Sequence, residues 1–384
     1  MKYRKLKTLA KYPTGKLNSN AAVEDGEYPF FTCAHDIYRI DQYSYDGEYV
    51  LLGGNNASGD FPIFYYNGKF DAYQRTYLIQ PLFENTDTKY LYYSIGLKLH
   101  QMKANASGTA TKFLTQPILN NINIEYRDIE EQKRIVDILS AYDNLIENNN
   151  KRIRLLEQMA ENLYKEWFVR FRFPRYEDTH FIEDIPSSWS YVQLGEIASF
   201  DRGISYSSDE INCDDGINLI NLKNIQSYGG FRRDGTKQYN GKYKETQIVT
   251  PGDLILGVTD MTQDRRTVGY VALIPQIEGI SVISADLVKV NLKVPNIFFY
   301  CMCRYGFYSQ YFSQFANGAN VLHLKPNVLL NKKLLLPTSA LIESFTEKVQ
   351  PMIDIVDDLN RQNDLLTKQR DMLLPRLMSG KLEV

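Results

Sequence analysis

Few of the side chains that usually perform enzymatic chemistry occur in this sequence, and they do not group. Its 384 residues include four histidines and four cysteines, the common general bases, nucleophiles and metal ligands, at His35, His100, His180, His323, Cys33, Cys213, Cys301 and Cys303. No two cysteines form a C-x-x-C pair, and the histidines are scattered. We therefore expect reduced, mostly buried thiols and no zinc site.

Motifs that bind nucleotides or activate a nucleophile are also missing from the sequence. G-x-x-x-x-G-K-[ST], G-x-G-x-x-G, G-x-S-x-G and H-E-x-x-H do not occur. The carboxylate pairs Glu24-Asp25 and Asp214-Asp215 fall in turn-like sequence and are interpreted as solvated turns. These absences favour a non-catalytic binding scaffold over an enzyme.

Net charge limits the kind of partner. The formal charge is −2 and the pI about 6.2, which argues against a general polyanion binder. A local basic face is nevertheless enough for nucleic acid, and the first sixteen residues hold six basic side chains and no acid. Lys165 to Arg175 is basic as well, and either segment is alternatively a solvated face. No apolar run reaches the ~18 residues of a membrane span, so we expect a cytoplasmic protein.

Two long helices with the same apolar spacing are the elements that must organise the chain. Steps of four and three alternate without interruption, which is the heptad pattern of a coiled coil. The first series is Ile135, Leu139, Tyr142, Ile146, Asn149, Ile153, Leu156, Ala160, Leu163 and Trp167. The second, 210 positions further on, is Phe345, Val349, Met352, Val356, Leu359, Asn363, Leu366, Arg370, Leu373 and Leu377. The alternative is a stripe that only covers the core of a helical domain.

The repeat extends beyond these helices. Ala106 to Thr109 aligns with Ala316 to Ala319 at the same offset, and Tyr3 to Lys16 parallels Tyr191 to Ser205. Each half also has aromatic and β-branched runs typical of strands, followed by one predicted helix, at 86–103 and at 295–312. The sequence therefore predicts two copies of a mixed globular domain followed by a long helix. The expected segments are 1–127, 128–172, 173–337 and 338–384.

With these features in hand, essentially the whole chain resembles the specificity subunits of type I restriction–modification enzymes. The resemblance depends on the junction from Gly108 to Leu139, with Glu131-Gln132 at the helix start, and on the ending Leu373 to Val384. The second copy departs, because Ser344-Phe345 stands in the region where the match to Gln132-Lys133-Arg134-Ile135 would predict a second Glu-Gln. The implied fold class is α+β, with two homologous target-recognition domains separated by two long antiparallel coiled-coil-like helices.

The resemblance also implies a function and partners. Each globular half is expected to read one part of a split, asymmetric double-stranded DNA target, while the helices set the gap between the parts. The helices are also expected to dock adenine methyltransferase subunits, of which the family usually has two per specificity subunit, and restriction subunits in some systems. S-adenosylmethionine, ATP and Mg are expected in those partners, and no cofactor or metal in this chain.

Candidate DNA contacts lie in loops of both halves. Asn and Gln pair bidentately with adenine, Arg pairs with guanine, and Lys or Arg neutralises phosphates. The candidates are Asn55, Asn56, Ser58, Arg75, Thr109 and Lys112 in the first half, and Arg202, Gln263, Arg265, Arg266, His323 and Lys325 in the second. For any single residue a plain surface-loop role is the alternative. Two other interpretations of the chain stay open: a coiled-coil scaffold whose halves bind protein or glycan, and a silent or recombining cassette without its own methyltransferase.

Overall fold

The structure is a computed structural model that describes residues 2–57, 59–106, 108, 111–211 and 215–384. The chain forms two compact units. The first unit comprises residues 1–148 and 363–384, and the second unit comprises residues 149–362. The four segments predicted from the sequence stay a prediction, because the two units are defined by compactness and each takes a part of both long helices.

The described part of the first unit contains ten strands and four helices. Strands β1 to β10 span Lys2–Lys5, Ala10–Lys11, Tyr28–Phe31, Tyr38–Ile40, Tyr45–Gly53, Asn55–Asn56, Ile63–Ala72, Thr76–Pro81, Lys112–Phe113 and Asn123–Tyr126. Helices α1 to α4 span Thr88–Gly96, Leu99–Asn105, Gln116–Asn120 and Ile129–Tyr164, the last of which continues into the second unit.

A six-stranded sheet in the order β2-β8-β5-β7-β3-β4 forms the centre of the first unit. Its pairs are antiparallel except β3 with β7, and the two-stranded pairs β1–β10 and β6–β9 lie outside it. Val50, Ile79 and Leu91 are completely buried where α1 covers the sheet. Ile135 and Leu377 lie in the same core, so the start of α4 and the last turn of the C-terminal helix both belong to it.

One predicted helix of the first unit is two helices. The sequence predicts a single helix over 86–103, whereas α1 ends at Gly96 and α2 begins at Leu99. Glycine is a poor helix former, and the chain turns here with the Lys98 N–H bonded to the Ile95 carbonyl at 2.9 Å. The start of α1 is well defined, because the Asp87 side chain accepts a hydrogen bond from the Tyr90 N–H at 2.8 Å.

The described part of the second unit contains fourteen strands and four further helices. Strands β11 to β24 span Phe181–Ile182, Ile185–Pro186, Ser190–Gln193, Ala198–Arg202, Ile217–Ile220, Lys237–Tyr239, Ile248–Val249, Leu254–Gly257, Thr259–Asp260, Val271–Leu273, Ser281–Ile283, Leu287–Leu292, Leu322–His323 and Lys333–Leu336. Helices α5 to α8 span Leu194–Ile197, Asn296–Tyr305, Tyr308–Ser313 and Ser339–Met378. Helix α8 enters the first unit at Asn363.

Two four-stranded sheets form the second unit, in the orders β14-β22-β18-β20 and β16-β15-β21-β17. The pairs β11–β12, β13–β24 and β19–β23 accompany them. An aromatic core that includes Trp167, Phe168, Phe298 and Phe345 joins the π-helical turn Lys165–Val169, which directly follows α4, to α6 and to the start of α8. The predicted helix over 295–312 is again two helices, because Phe307 takes a left-handed conformation with φ 64° between α6 and α7.

The twelve predicted spacer-packing positions all lie on the less exposed side of α4 and α8. Four are buried: Ile135, Leu139, Val349 and Leu359. Eight are half-buried: Tyr142, Ile146, Ile153, Leu156, Leu163, Val356, Leu366 and Leu373. Their role in packing one long helix on the other stays a prediction. Among the described residues, no helix combines the length and the apolar character needed to cross a lipid bilayer.

Candidate nucleic-acid interface

The strand pair β6–β9 brings together most of the first unit's candidate residues. Asn56 lies opposite Lys112, and Asn55 lies opposite Phe113. The Arg75 guanidinium lies over the Phe113 ring, 5.3 Å from its centre. Arg75 is also held by its backbone, because its carbonyl accepts the Gly54 N–H at 2.8 Å. Two amide side chains and two cationic side chains therefore lie close together at this strand pair.

The loop after β6 has a second lysine beside it that the sequence did not single out. Gly59 adopts φ 71°, and a methyl group placed on it would lie 3.2 Å from the side chains of both Lys103 and Lys112. Lys103 is exposed on α2, next to the small-residue loop that contains Thr109. Ser58 and Thr109 themselves lie outside the described residues. Nothing local in the sequence distinguishes Lys103, because only the fold brings α2 to this loop.

In the second unit one buried carboxylate closes the candidate loop at 261–266. Asp260 is 3% exposed and accepts hydrogen bonds from the backbone N–H and the hydroxyl of Thr262 and of Thr267, at 2.7 to 3.0 Å. Burial alone raises the pKa of this carboxyl, but the four hydrogen bonds outweigh it and hold the pKa below its ordinary value. Asp260 is thus an ionised group that fixes both ends of the loop, a role the sequence did not predict.

Three predicted DNA contacts within this loop already have protein partners. The Gln263 amide donates to the Ala319 carbonyl at 2.8 Å, and the Arg265 guanidinium donates to the Ser313 carbonyl at 3.2 Å. Arg266 is paired with Asp264 at 2.6 Å on the surface. Arg265 is half-buried with φ 54°, so its backbone is strained as well. Gln263 and Arg265 therefore hold the loop, and as base contacts these residues stay predictions.

Only some of the remaining candidates of the second unit lie near the loop at 261–266. The pair β19–β23 sets the exposed His323 opposite Thr259, two residues before the loop begins at Met261. Lys325 is exposed two residues further on. Arg202 lies on another strand, opposite Val288 in β22, and no described contact joins it to the loop. His323 and Lys325 thus accompany the loop, whereas Arg202 lies apart from it.

The basic N-terminus is engaged in part within its own unit. The Arg4 guanidinium lies 3.8 Å from the centre of the Tyr126 ring, and the Lys5 ammonium donates to the Asn121 carbonyl at 3.2 Å. Lys7, Lys11 and Lys16 are exposed. In the other basic segment Glu166 pairs with Arg170 and Arg172. Three lysines of the N-terminus therefore stay available to a polyanion.

The Glu131-Gln132 junction is a polar clamp at the start of α4. Gln132 is 1% exposed; its side-chain oxygen accepts the Asp87 N–H at 2.9 Å, and its amide donates to the carbonyls of Asn85 at 3.1 Å and Arg127 at 2.9 Å. Arg127 pairs with Glu131 at 2.7 Å and donates to the carbonyl of Met378, the last residue of α8, at 3.0 Å. The motif thus ties the beginning of one long helix to the end of the other within the first unit.

Groups for metal or thiol chemistry do not gather in the described part of the chain. No three His, Cys, Asp or Glu side chains there are placed to hold a metal ion. Cys301 and Cys303 are free and fully buried, and burial raises the pKa of Cys301 to about 12. Cys33 is free and half-buried, and Cys213 lies outside the described residues.

Comparisons with known proteins find similarity to type I restriction–modification specificity subunits. Residues 1–158 match the family model described as "Type I restriction modification DNA specificity domain". The EcoDI specificity subunit of Escherichia coli is 30% identical over 213 residues, which cover 50% of this chain and 47% of that protein. The MjaIX specificity subunit of Methanocaldococcus jannaschii is 26% identical, with 77% of this chain and 69% of that protein covered.

A solved structure extends the likeness to the fold of nearly the whole chain. The crystal structure of a type I restriction–modification system S subunit from M. genitalium matches with a TM-score of 0.64 at 17% identity, covering 98% of this chain and 95% of that one. The match to the family model thus covers residues 1–148 of the first unit and extends ten residues into the second unit, within α4. The chain is a relative of the type I restriction–modification specificity subunits, which confirms the resemblance, although its match spans about half the length of the EcoDI subunit.

Proposed function

We propose that this chain is the non-catalytic DNA-recognition subunit of a type I restriction–modification complex. The observation that supports this most strongly is the occurrence, in both units, of a two-stranded pair that presents polar and cationic loop residues. In the first unit β6–β9 holds Asn55, Asn56, Arg75 and Lys112 together. In the second, β19–β23 holds His323 beside the loop that Asp260 closes.

Equivalent strand orders support the proposal that the chain is an internal duplication. The order β2-β8-β5-β7 in the first unit corresponds to β14-β22-β18-β20 in the second, and β1–β10 corresponds to β13–β24. Hydrogen bonds correspond as well: the Leu114 N–H donates to the Gly54 carbonyl, and the Leu324 N–H to the Val258 carbonyl, both at 2.8 Å. The units differ at one strand. The place of β7 in the first unit is taken in the second by two strands, β20 and β21, which lie in separate sheets.

Two glycines that align in the sequence also adopt equivalent conformations. Gly108 has φ 104° and Gly318 has φ 149°, a region that side chains rarely enter. A methyl group at Gly108 would lie 2.0 Å from the Thr111 carbonyl oxygen, and one at Gly318 would lie 1.9 Å from that of Val321. Both turns therefore require glycine for the same reason, which supports a shared ancestor for the two loops.

Because the loops of the two units differ in chemistry, we propose a split, asymmetric target. Asparagines and lysines line the first loop, whereas the second presents Met261, Gln263 and Arg266 on a carboxylate-closed turn. Phosphate contacts position a protein on DNA, and base-edge contacts supply the specificity. Different loop side chains on one scaffold would therefore read different half-sites, with binding that weakens steeply as salt rises.

We also propose that α4 and α8 pair antiparallel as a spacer and dock the partner subunits. Within the first unit, Ile135 near the start of α4 shares a core with Leu377 at the end of α8, and within the second, Ala160 shares a core with Phe345. Apolar side chains stay exposed on both helices and would suit two methyltransferase subunits, at Ile138, Leu145, Leu155, Met159, Ile355, Leu365 and Met372. S-adenosylmethionine, and ATP and Mg where a restriction subunit exists, are assigned to those partners.

Methylome sequencing tests the function directly. DNA from a host that has this chain and its neighbouring methyltransferase would be compared with DNA from a strain lacking this chain alone. Loss of N6-methyladenine at one split motif is the expected result, and it would give both half-sites and the gap together. An unchanged methylome would refute active recognition and favour the silent cassette or the coiled-coil scaffold.

The spacer proposal has a test of its own. Four residues inserted within α4, which would lengthen it by about 6 Å, should change the permitted gap by one or two base pairs at most. Both half-site sequences should stay the same, because no loop is altered. A change of half-site sequence with an unchanged gap would refute the spacer role.

A further inference from the structure

Tyr228 lies at the tip of a tight turn in the second unit. Ile225 and Phe231 form an antiparallel bridge, and between them the Gln226 N–H donates to the Gly230 carbonyl at 2.9 Å. Tyr228 is 56% exposed, and its ring meets the Tyr270 ring edge-on, with 5.7 Å between the ring centres. A large aromatic surface is therefore presented to the outside.

The turn keeps this tyrosine in a conformation that glycine would adopt more easily. Tyr228 has φ 66°, a left-handed value that is uncommon for aromatic residues and costs free energy relative to glycine. More than half of the residue is exposed, so burial of the ring is incomplete. Strained residues of this kind concentrate at binding sites, where the surrounding structure holds them in place.

A backbone hydrogen bond joins this turn to the proposed DNA-reading loop. The Tyr228 N–H donates to the Arg266 carbonyl at 2.8 Å, so the turn lies directly beside residues 261–266. Arg265, one residue earlier, has φ 54°. Two strained residues therefore occur at one edge of the loop: the Arg265 guanidinium is bound to the Ser313 carbonyl, and the Tyr228 ring is exposed.

A half-buried arginine, Arg304, lies beside the turn. A methyl group on Gly230 would lie 3.2 Å from the Arg304 guanidinium, so the two groups are in contact distance. Arg304 in turn pairs with Glu157 of α4 at 3.2 Å and hydrogen-bonds the Tyr300 hydroxyl. Arg304 thus links the Gly230 end of the turn to Glu157 of α4 and to Tyr300 of α6.

We propose that the Tyr228 ring packs against a nucleobase of the second DNA half-site and contributes to its selectivity. The inference rests on the proposed function, because the loop beside Tyr228 reads DNA only if the chain is a specificity subunit. Aromatic rings stack on bases of any sequence, and apolar side chains inserted at a base step favour the steps that deform easily. Tyr228 would therefore supply affinity directly and selectivity through the deformability of the step it contacts.

The test uses three variants in the complete complex with its methyltransferase. Tyr228→Gly removes the ring and relieves the backbone strain, so it should fold at least as stably as the parent. Tyr228→Phe keeps the ring. Phe307→Gly is the matched control, because Phe307 is also aromatic, 63% exposed and left-handed with φ 64°, in the turn between α6 and α7. Affinities would be measured by fluorescence anisotropy on duplexes with the intact target and with a scrambled second half-site.

Tyr228→Gly is expected to bind the intact target about tenfold more weakly, the size of one lost base–aromatic contact, with a smaller preference over the scrambled duplex. Tyr228→Phe and Phe307→Gly should stay within about twofold of the parent, since a twofold change is small beside one lost stacking contact. An equal loss on both duplexes, or no loss, would overturn the base contact while leaving the proposed function intact. If the parent itself does not distinguish the duplexes, both proposals fail.

Discussion

Replacing Gln132 by alanine should destabilise the first unit far more than an ordinary surface change. The side chain is 1% exposed and makes three hydrogen bonds at 2.9 to 3.1 Å, to the Asp87 N–H and to the carbonyls of Asn85 and Arg127. Alanine would leave the three backbone groups without this partner. The loop before α1 and the start of α4 would both lose their attachment.

The expected cost follows from these contacts. Each hydrogen bond contributes about 1 kcal/mol net, and a buried group left unpaired costs about 1–3 kcal/mol. Allowing for partial relaxation, the loss is about 3 kcal/mol. The first unit has ~170 residues, and at that size each kcal/mol lowers the melting temperature by about 2–4 °C. The midpoint of the first unit should therefore fall by about 6–12 °C.

Thermal unfolding of the full chain, followed by circular dichroism, measures this effect. Gln158→Ala is the matched control, because Gln158 is an exposed glutamine on the same helix and its loss should change stability by at most about 0.5 kcal/mol. Gln132→Glu should be no better than alanine, since an ionised carboxylate cannot donate to two carbonyls. Equal midpoints for Gln132→Ala and Gln158→Ala would refute the clamp.

Three other changes test separate features of the second unit. Asp260→Asn should cost about 1–3 kcal/mol at pH 7; because the pKa of Asp260 is lowered in the fold, this difference should start to shrink below about pH 4, the ordinary pKa of an aspartate, and should disappear only as pH falls through the lowered pKa, measured by urea unfolding. Glu157→Gln removes the counter-ion of Arg304 and should cost about 1–2 kcal/mol, with no effect in an Arg304→Met background. Gly318→Ala should lower the unfolding midpoint more than Gly252→Ala, whose added methyl group meets no atom within 4 Å, and equal shifts would contradict the steric argument.

The elements with regular patterns could be predicted from the sequence, because their side chains repeat at the period of the structure. The twelve spacer-packing positions, from Ile135 to Leu373, lie on the less exposed side of α4 and α8. The apolar runs of both halves contain strands such as β5 and β18. Burial on one face imposes a period of 3.5 on a helix, so the spacing itself is the signal. The sequence does not predict the breaks at Gly96 and Phe307, because each lies within an apolar stretch that otherwise continues on both sides.

The orientation of loop side chains could not be predicted in the same way. Gln263 and Arg265 have the right donors for base edges, but their partners are carbonyls of Ala319 and Ser313, about fifty residues away in the sequence. Lys103 and Tyr228 enter the candidate interfaces for the same reason, because tertiary packing brings distant segments beside each loop. Residue type at a predicted loop therefore identifies a candidate, and only the fold decides which way it faces.

The second copy's departure from the Glu-Gln motif has a physical explanation. At the offset of 210, the position of Gln132 is occupied by Ile342, which is 4% exposed and belongs to the aromatic core around Phe345. An amide there would be buried among apolar side chains, whereas an isoleucine at position 132 would leave the Asn85 and Arg127 carbonyls unpaired. The two long helices thus begin in different surroundings: α4 starts at a polar clamp, and α8 starts on an apolar core. The motif is weaker in the second copy because its surroundings differ, and the equivalent strand orders of the two units do not depend on it.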